Sequence, residues 1–197
     1  MLYTDHSAEY SDAWVDEIPG SVKTIAMVGA SGDETKPGNH VLRFLTDAGY
    51  ELIRVNPRPD LTEIRGLKVY PSLQPIDRPI DMVDVFRPSE ELAGIASHAV
   101  ETGARVRWAQ LGVHNDEAAR IAEAGGLEVV MDRCPKIELL RASREADPDR
   151  RTRPIEGSGA NLVHAAIGFS RPGGPLNTAC QLVGALPARA RETIRYE

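Results

Sequence analysis

Residues 24–38 read TIAMVGASGDETKPG. The apolar run Ile25-Ala26-Met27-Val28 breaks into Gly29-Ala30-Ser31-Gly32, and Lys36-Pro37-Gly38 then opens a helical pattern. The order predicts strand, glycine turn and helix. Backbone amides of such a turn, with a helix start behind them, form a site for phosphate oxygens. Gly29 lets the chain turn sharply, and Gly32 leaves room for a ligand close to the backbone. Any α/β protein also places glycines at its first βα turn, so this stretch alone leaves phosphate binding and plain turn geometry as alternatives.

Working outward, a lead-in helix is predicted over residues 7–18, capped by Ser7 and ended by Pro19-Gly20. Strands follow at 24–28, 51–55, 68–70, 80–86, 105–111 and 127–131, with helices at 37–48, 89–102, 115–124 and 137–145. Strands that are near-continuous apolar runs and alternate with helices predict a parallel sheet covered on both faces. Right-handed crossovers make it a Rossmann-like, doubly wound α/β sheet, in the order 3-2-1-4-5-6. The binding crevice of that topology lies beyond the carboxyl ends of the first and fourth strands.

The chain of 197 residues is long enough for one domain and an appendage. Residues 1–146 are assigned to the domain and 147–197, rich in glycine and proline, to a C-terminal extension. The extension carries too many apolar residues to leave in water. It is expected to pack on the domain or on a second subunit of a homodimer, or else to be a disordered recognition segment. A net charge of −6 argues against general nucleic-acid binding. Cys134 and Cys180 form no metal-ligand spacing. With no signal-peptide pattern and no membrane-length apolar run, the expected location is cytoplasmic.

Charge narrows the ligand. The helices after the fourth and fifth strands begin Ser89-Glu90-Glu91 and Asn115-Asp116-Glu117, setting carboxylates against the positive end of the helix dipole. The first helix has no acid in its first turn and has Lys36 before it, so a polyphosphate belongs there, provided Asp33 and Glu34 point outward. The dinucleotide fingerprint fails, because Ser31 and Glu34 stand where its later glycines belong. The second strand ends Val55-Asn56-Pro57-Arg58 with no acid for a ribose diol. Arg58, with Arg54, favours a phosphorylated ribose: coenzyme A or NADP, rather than NAD.

Five linked motifs then carry a resemblance: Gly29-Ala30-Ser31 with Lys36-Pro37, Val55-Asn56-Pro57, Val85-Phe86-Arg87-Pro88, Gln110-Leu111-Gly112-Val113, and Met131-Asp132-Arg133-Cys134. Together they resemble the small CoA-binding protein family, similar in fold to the CoA-binding domain of the succinyl-CoA synthetase alpha subunit. The resemblance implies that Gly29, Ala30, Ser31 and Lys36 hold the pyrophosphate of coenzyme A. It sets Asn56 and Arg58 toward the 3'-phosphate and makes Phe86, Arg87 and Pro88 a wall. Gln110, Gly112 and Val113 then line the pantetheine arm. Membership implies CoA or acyl-CoA as partner but no reaction, and the synthetase's phosphorylated histidine lies in a second domain that this resemblance does not cover.

Candidate catalytic groups are weighed against plain roles. Asp81 and Asp84 read as a carboxylate pair or, preferably, as solubilising residues at a strand's N-terminal end. His114 sits at a helix start, where a cap or solvent-facing role is commoner. Ser31 has no histidine partner and reads as a phosphate donor. Trp108 belongs to the core or touches ligand. Cys134 follows a strand that ends at the crevice, and Arg133 beside it would lower its pKa; the alternative is a buried small residue. Two functions remain: a coenzyme A module without chemistry, serving as carrier, sensor or protective holder, or an enzyme using CoA or NADP in acyl transfer, thiol exchange or redox chemistry. The missing acid–base constellation favours the first.

Overall fold

Short apolar strands and amphipathic helices alternate along the chain, and each needs a partner to bury its apolar side. The computed structural model describes residues 4–6 and 9–146. In chain order the elements are α1 (Asp12–Ser21), β1 (Thr24–Val28), α2 (Pro37–Asp47), β2 (Glu51–Val55), β3 (Glu63–Ile64), β4 (Leu67–Tyr70) and β5 (Met82–Val85). A 3-10 turn (Ser89–Glu91) leads into α3 (Leu92–Glu101), followed by β6 (Val106–Ala109), α4 (Asp116–Ala124), β7 (Glu128–Val130) and α5 (Pro135–Ala146).

The seven strands form one sheet in the order β3-β4-β2-β1-β5-β6-β7. All neighbours pair in parallel except β3 with β4. Without β3 this is the expected doubly wound order, so the fold is Rossmann-like. The addition is a small edge hairpin. Its turn, Arg65-Gly66, has φ +54° and +73°, the doubly positive backbone of a two-residue hairpin. An arginine is a poor signal for that turn, which is why the sequence pattern does not announce it.

Two cores result. On one face α1, α2 and α5 cover Ile25, Met27, Met82, Val106 and Trp108; on the other α3 and α4 cover Ala26, Val83, Val85 and Val129. Trp108 is a core residue whose Nε1 donates to the Arg133 carbonyl at 2.8 Å. Asp81 ties β1 to β5, its Oδ2 accepting the Lys23 and Thr24 amides at 2.8 Å each.

The lead-in helix departs from expectation. It begins at Asp12 and continues through Pro19 and Gly20. Val15, Ile18 and Pro19 are buried, and the Pro19 carbonyl accepts the Tyr50 hydroxyl at 3.0 Å, so packing holds a helical turn that local propensity would break. Ser7, Cys180 and the extension at 147–197 lie outside the described residues. No helix among the described residues is long and apolar enough to cross a membrane.

Candidate functional site

The loops after β1, β2, β5 and β6 meet at one end of the sheet. At the β1 end, Gly29 has φ +92°, and a Cβ there would lie 2.4 Å from the Phe86 carbonyl oxygen. Only glycine fits between this backbone and the β5 exit. The Gly29 and Ala30 amides both donate to the Val55 carbonyl, at 2.8 and 3.2 Å. These two residues therefore shape the turn, and their N–H groups are not the phosphate donors that the sequence suggested.

The next two amides are different. Buried Asn56 donates its Nδ2 to the Ala30 carbonyl at 2.8 Å, and buried Asn39 of α2 donates its Nδ2 to the Ser31 carbonyl at 2.9 Å. In a trans peptide the N–H points opposite to the C=O. Holding those carbonyls inward therefore turns the Ser31 and Gly32 amides outward, away from the asparagines. Neither amide has a partner among the described residues, nor does that of Gly38 in the first turn of α2. Asn39 was missed by sequence reasoning; a buried asparagine in the first turn of an apolar-faced helix was its only signal.

The two acids of this loop are both engaged locally. The Asp33 carboxylate accepts the Thr35 hydroxyl and amide at 2.7 and 2.9 Å, and these bonds hold it below the usual carboxylate range. Glu34 pairs with Arg65 of the edge hairpin at 3.1 Å. Exposed Lys36 precedes Pro37 at the first helical position, and α2 has no acid in its first turn.

Phe86 lies over that first turn: a Cβ at Gly38 would stand 3.4 Å from its ring. Half-buried Arg87 forks onto Glu91 at 2.5 and 2.8 Å, and Pro88 precedes the 3-10 turn. The α4 start is already served, because Asn115 accepts the Ala118 amide at 2.8 Å and Asp116 and Glu117 follow. His114 is exposed and pairs with Asp116 at 2.8 Å, the plain role expected of it.

At the β6 end, the Gln110 carbonyl accepts the Val113 amide at 3.0 Å. Gly112 has φ +74°, and its amide donates to Asp132 at 2.6 Å. Val113 turns into the core. Buried Gln110 donates its Nε2 to Asp84 Oδ1 at 2.6 Å. Asp84 corrects the sequence reading: it is fully buried in a central strand, and Oδ2 has no partner. Burial pushes its carboxyl up to about 7.

Two further expectations are corrected. Cys134 is only 6% exposed and sits in the α1/α2/α5 core, where burial pushes its thiol up to about 11; Arg133 is drawn off to Glu138, at 3.4 Å. It is not an activated thiolate. Arg54 is buried and reaches back along its own strand to the Leu52 carbonyl at 2.5 Å, away from the crevice. Arg58 is exposed, its amide donating to Asn56 Oδ1 at 3.0 Å and its guanidinium forked onto Asp60. No cluster of metal-ligating side chains occurs among the described residues.

Residues 23–139 match the family described as CoA binding domain. The chain belongs to that family. Membership supports coenzyme A as a ligand of the domain. A relative is the uncharacterized protein YneT of Bacillus subtilis (strain 168), 45% identical over 127 residues, which are 64% of this chain and 93% of YneT. Among solved structures, a hypothetical protein from Pyrococcus horikoshii OT3 is 34% identical with a TM-score of 0.65, over 72% of this chain and 98% of its own. Cell-free ID.343 from Thermus thermophilus is 32% identical with a TM-score of 0.63, over 67% and 98%. Each is matched over more than nine-tenths of its own length but over about two-thirds to three-quarters of this chain, so the likeness concerns the shared domain.

Proposed function

We propose that this protein binds coenzyme A in the crevice beyond β1 and β5 and acts as a carrier, sensor or protective module rather than as an enzyme. The observation that carries the reading is the pair of outward-turned amides at Ser31 and Gly32, fixed by Asn56 and Asn39 at the start of an acid-free helix. They form a cradle for a diphosphate. Lys36 supplies charge beside them, Phe86, Arg87 and Pro88 wall the site, and the Gln110 to Val113 turn lies toward the pantetheine side. Arg58, in an exposed pair that a ligand displaces at little cost, faces the 3'-phosphate.

The non-catalytic reading rests on the chemistry of the groups at hand. Asp84 of β5 and Cys134 beyond β7 are both buried. Neither is exposed to act as an acid–base group or a nucleophile.

Isothermal titration of the purified full chain with CoA, 3'-dephospho-CoA and NADP tests the reading, together with mass spectrometry of small molecules released on denaturation. CoA should bind most tightly and NADP weakly or not at all. NADP binding tighter than CoA would overturn it. Thioester turnover by the protein alone would overturn the non-catalytic part.

A further inference from the structure

The edge hairpin packs against the glycine loop after β1. Ile64 is buried, and its Cγ1 would lie 3.8 Å from a Cβ at Gly32, so the hairpin is held down against the glycine loop. At its tip Arg65 occupies a left-handed backbone, φ +54°, that disfavours any residue with a branched-out side chain and is ordinarily filled by Asn, Asp or Gly. A locally disfavoured residue, placed where the chain passes the amide cradle, marks a side chain kept for another reason. Its guanidinium Nη2 reaches Glu34 Oε1 at 3.1 Å, two residues beyond the Gly32 amide in the chain.

Both partners stand in water, Arg65 47% and Glu34 68% exposed, so solvent screens the pair and separating it costs little. A diphosphate carries more charge than one carboxylate and accepts the guanidinium fork through two oxygens. Resting on the coenzyme A reading above, we propose that Arg65 is a diphosphate-binding residue of this crevice, and that the ligand's diphosphate replaces the Glu34 carboxylate as its partner. The hairpin thereby adds a cation to the phosphate site besides Lys36 and the α2 start. Glu34 keeps the arginine in place before the ligand arrives and opposes the ligand by its own charge.

Titration calorimetry with CoA and 3'-dephospho-CoA on wild type, Arg65→Asn, Glu34→Gln and the double variant tests this, with melting temperatures taken without ligand. Arg65→Asn should melt at or above wild type, because asparagine suits the turn, yet bind both ligands about 10-fold more weakly, a typical charge-assisted contact. Glu34→Gln should bind as tightly as wild type or more so. The double variant should stay weakened. If Arg65 merely screens Glu34, the double variant returns to wild-type affinity, and the proposal is overturned. A loss confined to CoA, sparing 3'-dephospho-CoA, overturns it too, by moving Arg65 to the 3'-phosphate. A wild-type chain that binds neither ligand overturns the coenzyme A reading and this inference with it.

Discussion

Arg58 and Asp84 show what single side chains contribute. Arg58 extends past the end of β2, its guanidinium in a pair with Asp60 that is exposed on both sides. Arg58→Ala should weaken CoA by roughly 1.5–3 kcal/mol, the size of a lost charge-assisted bond, and leave 3'-dephospho-CoA nearly unchanged. Equal losses for both ligands would remove Arg58 from the 3'-phosphate. Asp84 concerns stability. Its folded-state pKa, about 7, lies above the roughly 3.9 of an unfolded aspartate. Between those values the folded chain keeps a proton that the unfolded chain has lost. The Asp84 contribution to stability therefore falls as pH rises through that window and levels off above pH ~7. Three units correspond to about 4 kcal/mol. Asp84→Asn keeps an acceptor for Gln110 and removes the charge. It should be more stable than wild type in urea at pH 8, with the difference vanishing near pH 4. A difference independent of pH would show that Asp84 is ionised throughout.

At the scale of elements, the edge strands β3 and β7 are managed in different ways. The β3–β4 hairpin closes one edge with an antiparallel pair. Just beyond β7 the chain is tied to the N-terminal segment. The Met131 amide donates to the Tyr10 hydroxyl at 3.0 Å, that hydroxyl meets His6 Nδ1 at 2.8 Å, and His6 Nε2 meets Glu123 of α4 at 3.1 Å. A neutral ring with its proton on Nε2 satisfies the whole row. Burial lowers the His6 pKa below its ordinary value, against the pull of Glu123. The clasp is thus fully present above the unfolded histidine pKa, ~6.5, and is lost as pH falls below it. Hydrogen-exchange protection factors of the Met131 amide should be lower at pH 5 than at pH 7.5, and His6→Ala should remove most of that difference. Equal protection at both pH values would rule out a proton-linked clasp.

For the whole molecule, the crevice exists only because the strand order reverses between β1 and β5, with α2 on one face and α3 on the other. A ligand there touches loops from both halves and stabilises the domain as a unit. CoA at 100 times its dissociation constant should add about 2.7 kcal/mol, a rise of several degrees in melting temperature. NADP at the same concentration should add much less. No shift with CoA by scanning calorimetry, or an equal one with NADP, would contradict the coenzyme A reading.

Local pattern is enough to specify the architecture of this chain. Apolar runs at 24–28 and 80–86, each followed by a helix, together with the run at 51–55, determine a parallel, doubly wound sheet, because strands buried on both faces read as near-continuous apolar runs. The acid-free start of α2, against Glu90-Glu91 and Asp116-Glu117 elsewhere, also assigns the phosphate end from sequence. The direction of polar groups was not legible. Asn39 and Asn56, far apart in the chain, decide which amides of the glycine turn face outward. Arg65 meets Glu34 only through a hairpin whose turn residue hides it. Asp84 and Arg54 look like solvated charges until both faces of the sheet are covered. A strand's apolar period says that it is buried; where a buried dipole or charge points depends on partners brought from elsewhere, and only the tertiary structure supplies those.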